Sequence, residues 1–469
     1  MTPQTSDLIA RLHAAGQGHC EDYLNALDGA ARERLEAALA SLDLDMVQAL
    51  AKLLTEKGEH AQASAFEAPE IFPLERGSDD EARAVEARKA GEALLKAGQV
   101  GYVLVAGGQA SRLGYDGPKG NFPVGPVTDR TLFHFHAQRL LRQVALGGPS
   151  PSWYVMTSPA NDQATRDAFE DENYFGLAPE NVFFFQQEML PALDAQGRIL
   201  FKAPDEPFMA PNGHGGVLLA LQTSGALDDM KRKGIRQISY FQVDNPLVRP
   251  VDPLFLGLHE QAGAGMSSKV VEKTEPGEKV GVLGRADGAL GCIEYSDLPE
   301  NLREARDGNG KLTFRAGNIA VHALTLEFVD GLTKDGLTLP WHIAVKQMKT
   351  VDLSGAEATI TGHKFESFVF DALGQTETSV TLEVDRALEF SPVKNKEGSD
   401  SPASAKRDLC KLFSGWAAAR GDALPASDAA GDVPVEVDPL LAESQSEFVQ
   451  ATNLVREERG GGVFYTPGA

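Results

Sequence analysis

Two adjacent glycines and two nearby cations form the most informative group of residues in the sequence. Gly107 and Gly108 follow directly on the apolar run 102–105, and Arg112 and Lys119 come shortly after them. Because glycine has no Cβ, such a pair lets the backbone bend sharply and bring its N–H groups against an anion. Arginine and lysine add charged donors for the same anion. The spacing therefore predicts a phosphate-binding loop that suits a nucleoside triphosphate.

Neither common nucleotide-binding fingerprint describes this loop. A Walker A loop needs Gly-Lys-Ser/Thr at a fixed spacing, and no such triplet follows Gly108. The dinucleotide fingerprint G-x-G-x-x-G needs its glycines at other positions. The missing fingerprint disfavours a Rossmann dehydrogenase, an alternative that a titration with NADH would test.

A carboxylate and a pair of amides follow two other apolar runs. Asp244 comes after the run 237–243, a position where a sheet can hold a metal ion near phosphates, although a single Asp there also commonly forms a turn. Gln186 and Gln187 follow the run 183–185. Two amides can present a donor and an acceptor to the edge of a base, or they can cap the strand. The residues alone leave both alternatives open.

A second glycine-rich stretch covers residues 209–216. Its three glycines would let the backbone approach a ligand closely, with Asn212 and His214 among them. A helix is predicted to begin at about residue 217, and the N-terminus of a helix favours anions. The alternative is a plain loop that caps this helix.

These candidate residues lie at the ends of predicted strands. From residue 101 to about residue 370, strand-like runs alternate with helical ones, which predicts a mostly parallel sheet with helices on both faces. Such sheets bind ligands at their strand ends. The predicted strands are 153–156, 182–185, 237–243, 268–271, 280–283 and 317–321, and the predicted helices are 131–144, 162–170 and 217–221 with its continuation.

The region before this alternation is predicted to be helical. It is rich in Ala, Leu, Glu and Arg and has apolar residues at helical spacing. Residues 66–79 contain two prolines and a glycine, which predicts an extended connection across the surface of the next domain. The predicted helices are 31–42, 46–54 and 82–95.

The region after the alternation is predicted to be a small domain with a loose end. We expect a strand at 379–384, a polar loop at 389–402 and a helix at 403–420. The tail from Gly421 is rich in Ala, Asp and Pro, and the glycines at 460–462 are expected to be frayed. The chain is thus divided into a helical N-terminal region, a nucleotide-binding α/β domain, and a small C-terminal domain with its tail, at residues 1–99, 100–375 and 376–469.

Length and composition indicate a soluble globular protein. A chain of 469 residues can form two or three domains, and its hydrophobic and charged fractions of 42% and 24% are those of ordinary globular proteins. No apolar run approaches the roughly 18 residues that a membrane helix needs. Residues 1–17 lack the continuous apolar stretch of a secretory signal, so the cytoplasm is the expected location.

The formal net charge of −23 disfavours a nucleic-acid partner, because proteins that bind nucleic acids present basic faces. It also makes the cations near Gly107 more informative, since they run against the overall balance. The three cysteines are odd in number and widely spaced. They predict neither a disulfide framework nor a zinc site, which is consistent with a reducing compartment.

The glycine loop resembles the signature of a known enzyme family. Ala-Gly-Gly-Gln-Ala-Ser-Arg-Leu-Gly at 106–114, followed by Pro-Lys-Gly at 118–120, is similar to the signature of the UDP-sugar pyrophosphorylases, most closely the eukaryotic-type UDP-N-acetylglucosamine pyrophosphorylases. The family has Gly-Thr where this chain has Ala110-Ser111. Further matching segments extend the resemblance over about residues 101–411. It implies an α/β fold with a central, mostly parallel Rossmann-like sheet of the GT-A-like nucleotidyltransferase kind.

The resemblance also implies roles for individual residues. Gln187 would recognise the uracil base, and Asp244 would bind Mg²⁺, with Mn²⁺ as a possible substitute. The cations that would act on the phosphates are Arg112, Lys119, Lys364 and Lys394. The residues that would bind the substrates are Ala106, Gly107, Gly108, Gln187, Gly213, His214, Gly281, Glu294, Asn318 and Phe368.

The second glycine-rich stretch departs from the family pattern. The family has Ala-Pro-Asp-Gly-Asn-Gly-Gly, and this chain has Asn212 in place of the Asp and His214 in place of the Asn, which lies beside the sugar. N-acetylglucosamine 1-phosphate is the expected substrate. Because Gly-His-Gly at 213–215 resembles the UDP-glucose and broad UDP-sugar enzymes, glucose 1-phosphate or a broad specificity is the alternative.

The implied reaction transfers UMP from UTP to a sugar 1-phosphate and releases pyrophosphate. No Ser, Cys or His lies in a nucleophile motif, so no covalent intermediate is expected. A non-catalytic nucleotide-sugar sensor with the same fold is a further alternative, which the complete set of cations disfavours. The expected partners are UTP and a sugar 1-phosphate, without nucleic acid or membrane, and the expected assembly is a monomer or homodimer.

Overall fold

The structure is a computed structural model that describes residues 3–55 and 65–468. The chain forms two compact units, each assembled from three separate segments. The smaller unit contains Met1–Gln62, Gln187–Gly216 and Thr338–Asp371. The larger unit contains Ala63–Gln186, Val217–Leu337 and Ala372–Ala469.

The described residues form the following helices and strands. The helices are α1 (Pro3–Ala14), α2 (His19–Ala26), α3 (Gly29–Ala40), α4 (Leu44–Thr55), α5 (Ser78–Lys96), α6 (Leu132–Ala145), α7 (Asp162–Asp171), α8 (Gly216–Thr223), α9 (Ala226–Arg232), α10 (Pro253–Gln261), α11 (Glu300–Arg303), α12 (Leu326–Thr333), α13 (Arg386–Glu389), α14 (Pro402–Arg420) and α15 (Gln445–Gln450). The strands are β1 (Phe66–Glu67), β2 (Val100–Val105), β3 (Ser152–Thr157), β4 (Val182–Gln186), β5 (Met189–Pro191), β6 (Phe201–Ala203), β7 (Glu206–Pro207), β8 (Met209–Pro211), β9 (Gln237–Gln242), β10 (Met266–Glu272), β11 (Val282–Ala286), β12 (Ala289–Ile293), β13 (Ala316–Thr325), β14 (His342–Val351), β15 (Glu357–Glu366), β16 (Thr381–Val384), β17 (Val435–Val437), β18 (Leu454–Arg459) and β19 (Gly462–Pro467).

A ten-stranded mixed sheet forms the centre of the larger unit. The strands β4, β3, β2 and β9 lie side by side and are parallel, and β13 pairs antiparallel with β9. Beyond them, β10 pairs antiparallel with β13 and parallel with β16. The predicted α/β fold with a large central sheet is confirmed. The glycine loop and Asp244 follow the parallel strands β2 and β9, whereas Gly281, Glu294 and Asn318 lie in the antiparallel part of the sheet.

The antiparallel part of the sheet includes a hairpin that the sequence analysis missed. β11 and β12 pair directly and are joined by Asp287 and Gly288, whose φ angles are 49° and 85°. Positive φ at both central residues is typical of the type I′ turn, which Asp-Gly favours. The Asp-Gly pair therefore could have predicted a hairpin here, with β12 as its second strand.

The glycine loop follows β2 in the middle of the parallel strands. Tyr102, Val103 and Leu104 are completely buried, and β3 and β9 pair with the strand on either side. Such continuous burial is typical of central parallel strands. The predicted helix start at Thr131 is confirmed, since its side chain caps α6 by accepting from the N–H of His134 at 3.3 Å.

The smaller unit has a helical core of its own. Leu12, Leu24 and Leu39 of the first three helices are completely buried in one apolar cluster together with Phe201 and Phe365. The ring of Tyr23 stacks on Phe201 with the centroids 3.8 Å apart. The long hairpin of β14 and β15 and the short pairs β5–β8 and β6–β7 complete this unit.

The connection predicted at residues 66–79 is extended up to residue 77, where α5 follows, and most of its residues are exposed or half-buried. Phe66 and Glu67 form β1, which pairs with β11 at the edge of the central sheet. Phe72 bridges to Leu382 and is only 6% exposed. The segment thus lies at the surface, as predicted, and it also extends the sheet and buries one aromatic ring, which the prediction did not include.

The prediction of a loose C-terminal end is wrong. β17, β19 and β18 form a three-stranded sheet, in which Val463, Phe464 and Tyr465 are buried. Gly460 and Gly461, with φ of 59° and 81°, form the turn between β18 and β19 and are not frayed ends. Composition suggested a loose end because the polar residues are concentrated before this sheet. No helix within residues 3–55 or 65–468 is long and apolar enough to span a bilayer.

Candidate active site

The glycine loop after β2 is held from one side by two side chains of the larger unit. Asn161 Nδ2 donates to the carbonyls of Ala106 at 2.8 Å and Gly108 at 3.3 Å. Ser158 Oγ donates to the carbonyl of Gly107 at 2.8 Å. Because three successive carbonyls are tied in this way, the loop has a fixed shape before any ligand binds. Sequence analysis missed Ser158 and Asn161, which follow β3 and lack any local signal.

The loop then folds back on itself and brings Lys119 beside the glycines. Ala110 N–H donates to Gly117 O, and Lys119 N–H donates to Gly108 O, both at 3.1 Å. Between these contacts the chain makes a 3₁₀ turn at Ser111–Leu113, on which Arg112 is exposed. The predicted grouping of glycines and cations is therefore present in the fold.

Lys119 faces Asp244 across the end of β9. Its Nζ is 3.7 Å from Asp244 Oδ2, and the two side chains are only 17% and 11% exposed. Burial lowers the pKa of Lys119, and the positive charges of Lys394 and Arg112 lower it further, whereas Asp244 opposes this shift. An anion that binds beside Lys119 would favour its protonated form and so oppose this lowering of the pKa.

Lys394 lies next to Asp244 through a backbone contact. The N–H of Val393, the residue before it, donates to Asp244 O at 2.8 Å. The N–H of Lys394 donates to Asp400 O at 2.6 Å, and its side chain is exposed. Residues from three distant parts of the sequence, 112–119, 244 and 394, are thus brought together at the ends of β2 and β9.

Asp244 can supply one ligand to a metal ion but not a complete site. Within the described residues, no group of three or more His, Cys, Asp or Glu side chains is arranged to hold a metal. Mg²⁺ is commonly bound by one or two carboxylates together with substrate phosphates and water. The donor set therefore fits a metal that arrives with the nucleotide, and it does not fit a permanent metal cage.

Gly281, Glu294 and Asn318, which were predicted to bind the substrates, come together at the start of β11. Asn318 N–H donates to Gly281 O at 2.9 Å, and Asn318 Nδ2 lies 3.6 Å from Cys292 Sγ. A Cβ on Gly281 would lie 2.7 Å from that sulfur and 3.6 Å from Glu294 Oε1. Cys292 was missed, because only the pairing of β11 with β12 and β13 brings it here.

The second glycine-rich stretch packs closely against another segment of the smaller unit. Gly213 has φ of +82°, and a Cβ there would collide with the carbonyl oxygen of Ser367. A Cβ on Gly215 would lie 2.7 Å from the backbone nitrogen of Phe368. Both glycines are therefore required by an approach to the chain's own backbone, whatever ligand the loop binds.

His214 is fixed by an aromatic group in the same unit. Its Nδ1 accepts from the N–H of Val369 at 3.2 Å, which assigns the proton of the neutral ring to Nε2. The ring stacks on Phe368 with centroids 5.2 Å apart and meets Phe370 edge-on at 5.4 Å. His342, which the sequence analysis missed, packs on the same Phe368 ring at 4.5 Å.

The remaining predicted residues of the smaller unit lie near this group in the sequence. Gln187 is 8% exposed and follows β4. Asn212 is 2% exposed, and its hydrogen-bonding pattern favours the amide orientation in which Nδ2 donates to Glu188 O at 3.2 Å. Lys364 on β15 has its Nζ 5.7 Å from the centre of the Phe208 ring, a cation–π contact.

Comparison with known proteins gives matches over most of the chain. The family model described as UTP–glucose-1-phosphate uridylyltransferase matches residues 48–412. UDP-N-acetylglucosamine diphosphorylase 1 of Arabidopsis thaliana is 35% identical over 458 residues, which cover 93% of this chain and 88% of that protein. A probable UDP-N-acetylglucosamine pyrophosphorylase of Dictyostelium discoideum is 32% identical over 94% of both chains.

A solved structure is similar over nearly the whole fold. The uridine diphosphate N-acetylglucosamine pyrophosphorylase of Trypanosoma brucei, in complex with an inhibitor, superposes with a TM-score of 0.82. It is 28% identical in sequence, and the match covers 96% of this chain and 95% of that one. The match therefore covers segments of both compact units.

Proposed function

Because the chain belongs to the UTP–glucose-1-phosphate uridylyltransferase family, we propose that it forms UDP-N-acetylglucosamine and pyrophosphate from UTP and N-acetylglucosamine 1-phosphate. The chain is an enzyme of the nucleotidyltransferase class. The names of its relatives favour N-acetylglucosamine as the sugar over glucose. Glucose 1-phosphate and a broader sugar range are the second candidates, because His214 replaces the asparagine of the family pattern.

One observation carries the proposed chemistry: three cations converge on a preformed glycine loop in a strongly acidic chain. Lys119 donates its backbone N–H to that loop, and Lys394 and Arg112 are close enough to lower the pKa of Lys119. In a protein with a net charge of −23, such a local cluster of positive charge indicates a binding site for anions. A triphosphate and a sugar phosphate would supply the matching negative charge.

The proposed reaction is a direct displacement at the α-phosphorus of UTP. A phosphate oxygen of the sugar 1-phosphate forms the new bond to this phosphorus, while the bond to the β-phosphate oxygen breaks and pyrophosphate leaves. Such transfers depend on positioning and on the neutralisation of charge. We assign Arg112 and Lys119 to the UTP phosphates, and Lys364 and Lys394 to the phosphates on either side of the new bond.

We assign Asp244 as the protein ligand of Mg²⁺, with Mn²⁺ as a possible substitute. Bound Mg²⁺ would neutralise charge on the phosphates during transfer. Asp244 itself would hold the metal at the end of β9, where Lys119 lies 3.7 Å from its carboxylate. Phosphate oxygens and water would supply the other ligands, as they commonly do for protein-bound Mg²⁺.

The other assignments concern the base and the sugar. Gln187 is assigned to the uracil base, and Gly281, Glu294 and Asn318 to the sugar; Ala106, Gly107, Gly108, Gly213, His214 and Phe368 complete the substrate contacts. We further propose that the central sheet is a Rossmann-like sheet of the GT-A-like kind. A cytoplasmic location and a monomer or homodimer remain predictions.

Replacement of Arg112 tests whether the cations act in catalysis. We expect Arg112→Ala to lower kcat/KM for pyrophosphate release by roughly 10² to 10³, the usual scale for the loss of one group that stabilises transition-state charge. Arg232→Ala is the matched control, because Arg232 is 68% exposed and pairs with Asp229 on its own helix. Equal rates in the two variants would contradict the assignment. A protein that binds UTP but never releases pyrophosphate would instead be a sensor.

Removal of the metal tests the role of Asp244. Excess EDTA should abolish turnover, and added Mg²⁺ or Mn²⁺ should restore it. Asp244→Asn should raise the Mg²⁺ concentration needed for half-maximal rate and lower the maximal rate as well. Undiminished turnover in EDTA would rule out the metal assignment while leaving the transfer reaction itself in place.

A further inference from the structure

We propose that Asn245 is a positioning residue for the transfer reaction. Its side-chain amide holds the segment 389–393 against the end of β9 and thereby fixes Lys394 beside Asp244. This inference rests on the proposed function, since Lys394 is assigned there to a phosphate. It adds a residue whose side chain is turned away from solvent and therefore acts only through its neighbours.

The amide of Asn245 makes three hydrogen bonds, two of them to the distant segment. Its Nδ2 donates to Glu389 O at 2.7 Å, and its Oδ1 accepts from the N–H of Ser391 at 3.1 Å. The same Oδ1 accepts from the N–H of Leu247 at 3.1 Å, which forms a local turn. Asn245 is 4% exposed. Only a carboxamide offers a donor and an acceptor at this length, so a carboxylate or a methyl group would break the pattern.

The hydrogen bonds continue along the segment up to Lys394. Asn245 contacts Glu389 and Ser391, and the carbonyl of Asp244 accepts from the N–H of Val393 at 2.8 Å. Alternate residues of the segment are therefore tied to two adjacent residues at the end of β9. The last of these hydrogen bonds joins the backbones of Val393 and Asp244, one residue before Lys394. The two bonds from the Asn245 amide hold the chain that leads to it, at residues 389 and 391.

A buried ion pair anchors the beginning of the segment independently of Asn245. Lys269 is completely buried, and its Nζ lies 2.6 Å from Glu389 Oε2 and 2.7 Å from Asp252 Oδ2. Buried charges are costly to desolvate, so such a group fixes geometry more than it stabilises the fold. When the Asn245 amide is removed, this anchor remains. We therefore expect the loss of order to be confined to residues 391–394.

A small displacement of Lys394 is expected to slow the reaction strongly. Its charge already acts on Lys119, whose pKa it lowers in addition to the larger effect of burial. A shift of about 1 Å in a catalytic group can reduce a rate roughly 10²-fold. Asn245→Ala should accordingly lower kcat by roughly 10- to 100-fold. The KM for UTP should change little, because the glycine loop is held by Ser158 and Asn161.

Two variants and one control separate positioning from general destabilisation. Asn245→Ala removes all three hydrogen bonds. Asn245→Ser can retain the local turn to Leu247 N–H, since serine hydroxyls form such turns, but it is too short to reach residues 389 and 391. Gln143→Ala is the control: Gln143 is a buried amide whose side chain accepts from Tyr102 and donates to the carbonyl of Pro149, neither of which is an assigned residue.

The deciding experiment is a double-variant cycle with Lys394→Ala, measured on the full chain with thermal melting of every variant. Asn245→Ala and Asn245→Ser should lower kcat, whereas Gln143→Ala should leave it within about twofold of the parent even if its melting temperature falls. In the Lys394→Ala background, Asn245→Ala should lower kcat by less than about a further twofold, because the effects of residues that act through one another are not additive.

Losses in kcat that multiply in the double variant, or an unchanged kcat in a folded Asn245 variant, would overturn the inference. A wild-type enzyme that makes no UDP-sugar would instead overturn the proposed function, and this inference with it.

Discussion

Lys119 carries two properties that suit a phosphate-binding lysine. It is largely buried beside a single carboxylate, and burial together with Lys394 and Arg112 lowers its pKa. An approaching phosphate adds negative charge beside the ammonium group and so favours its protonated form. In the free enzyme, therefore, Lys119 should lose its proton at a lower pH than an ordinary lysine.

This shift predicts an alkaline limit in the pH profile of kcat/KM, which reports the free enzyme. Activity requires the charged form, so kcat/KM should fall as the pH rises through the lowered pKa of Lys119. Lys119→Arg keeps its positive charge at all accessible pH values. The alkaline fall in kcat/KM should therefore move to higher pH or disappear in this variant, even if the rate is lower. Lys202→Arg, at a side chain that is 62% exposed, should leave the limb unchanged. An identical limb in Lys119→Arg would assign it to another group.

His214 provides the clearest prediction about sugar choice. Its Nδ1 accepts a hydrogen bond from the N–H of Val369, which fixes the orientation of the ring and places the proton of the neutral form on Nε2. We expect His214→Asn to shift the ratio of kcat/KM for N-acetylglucosamine 1-phosphate over glucose 1-phosphate by about tenfold, or ~1.4 kcal/mol, the value of one such contact. The KM for UTP should stay nearly constant. His13→Asn, at an exposed histidine, is the control; an unchanged sugar ratio would leave His214 with a purely structural role.

The residues that could be predicted are those whose signal is local. The glycine pair and its cations lie within 13 residues of one another, and their grouping is present in the fold. Cys292 and His342 could not be found in this way. Cys292 meets Asn318 only through strand pairing, and His342 meets Phe368 across a long stretch of chain. Neither contact leaves a pattern in the neighbouring sequence.

At the scale of elements, strands and helices with strong periodicity were predictable, and those with mixed composition were not. Trp153 and Met156 lie in β3, and Asp162 begins α7 as expected. The C-terminal sheet was missed because its strands are short and follow a long polar stretch. Distant contacts connect the residues that follow β17 to α6 and the segment before it: Arg130 pairs with Asp438 at 2.6 Å, and Arg139 pairs with Glu443 at 2.7 Å.

The ordered C-terminal part makes a stability prediction. Phe448 on α15 is completely buried against Trp416 and Tyr465, whereas the adjacent Val449 is 40% exposed. We expect Phe448→Ala to reduce the free energy of unfolding by about 3–5 kcal/mol, the usual cost of removing a buried aromatic ring. Val449→Ala should have little effect. Thermal and urea unfolding would measure both, and equal stabilities would support a loosely attached tail.

At the scale of the whole molecule, each compact unit is assembled from segments that are far apart in the sequence. Gln187–Gly216 and Thr338–Asp371 join the N-terminal helices in the smaller unit. Periodicity along the chain can only delimit continuous ranges such as 1–99, so it could not reveal this assembly. The functional prediction rested on short motifs and not on the predicted elements. The residues of a motif are close in sequence, so a motif can be recognised even where the chain passes from one unit to the other.

A competition assay tests the central claim most directly. The enzyme is incubated with UTP, Mg²⁺ and equal concentrations of N-acetylglucosamine 1-phosphate and glucose 1-phosphate, and both UDP-sugars and pyrophosphate are quantified over time. The account predicts one pyrophosphate per UDP-sugar, with UDP-N-acetylglucosamine formed in at least about tenfold excess, since one additional contact to the acetamido group is worth about that factor. Predominant UDP-glucose would contradict the assigned sugar, and the absence of both products would contradict the assigned reaction.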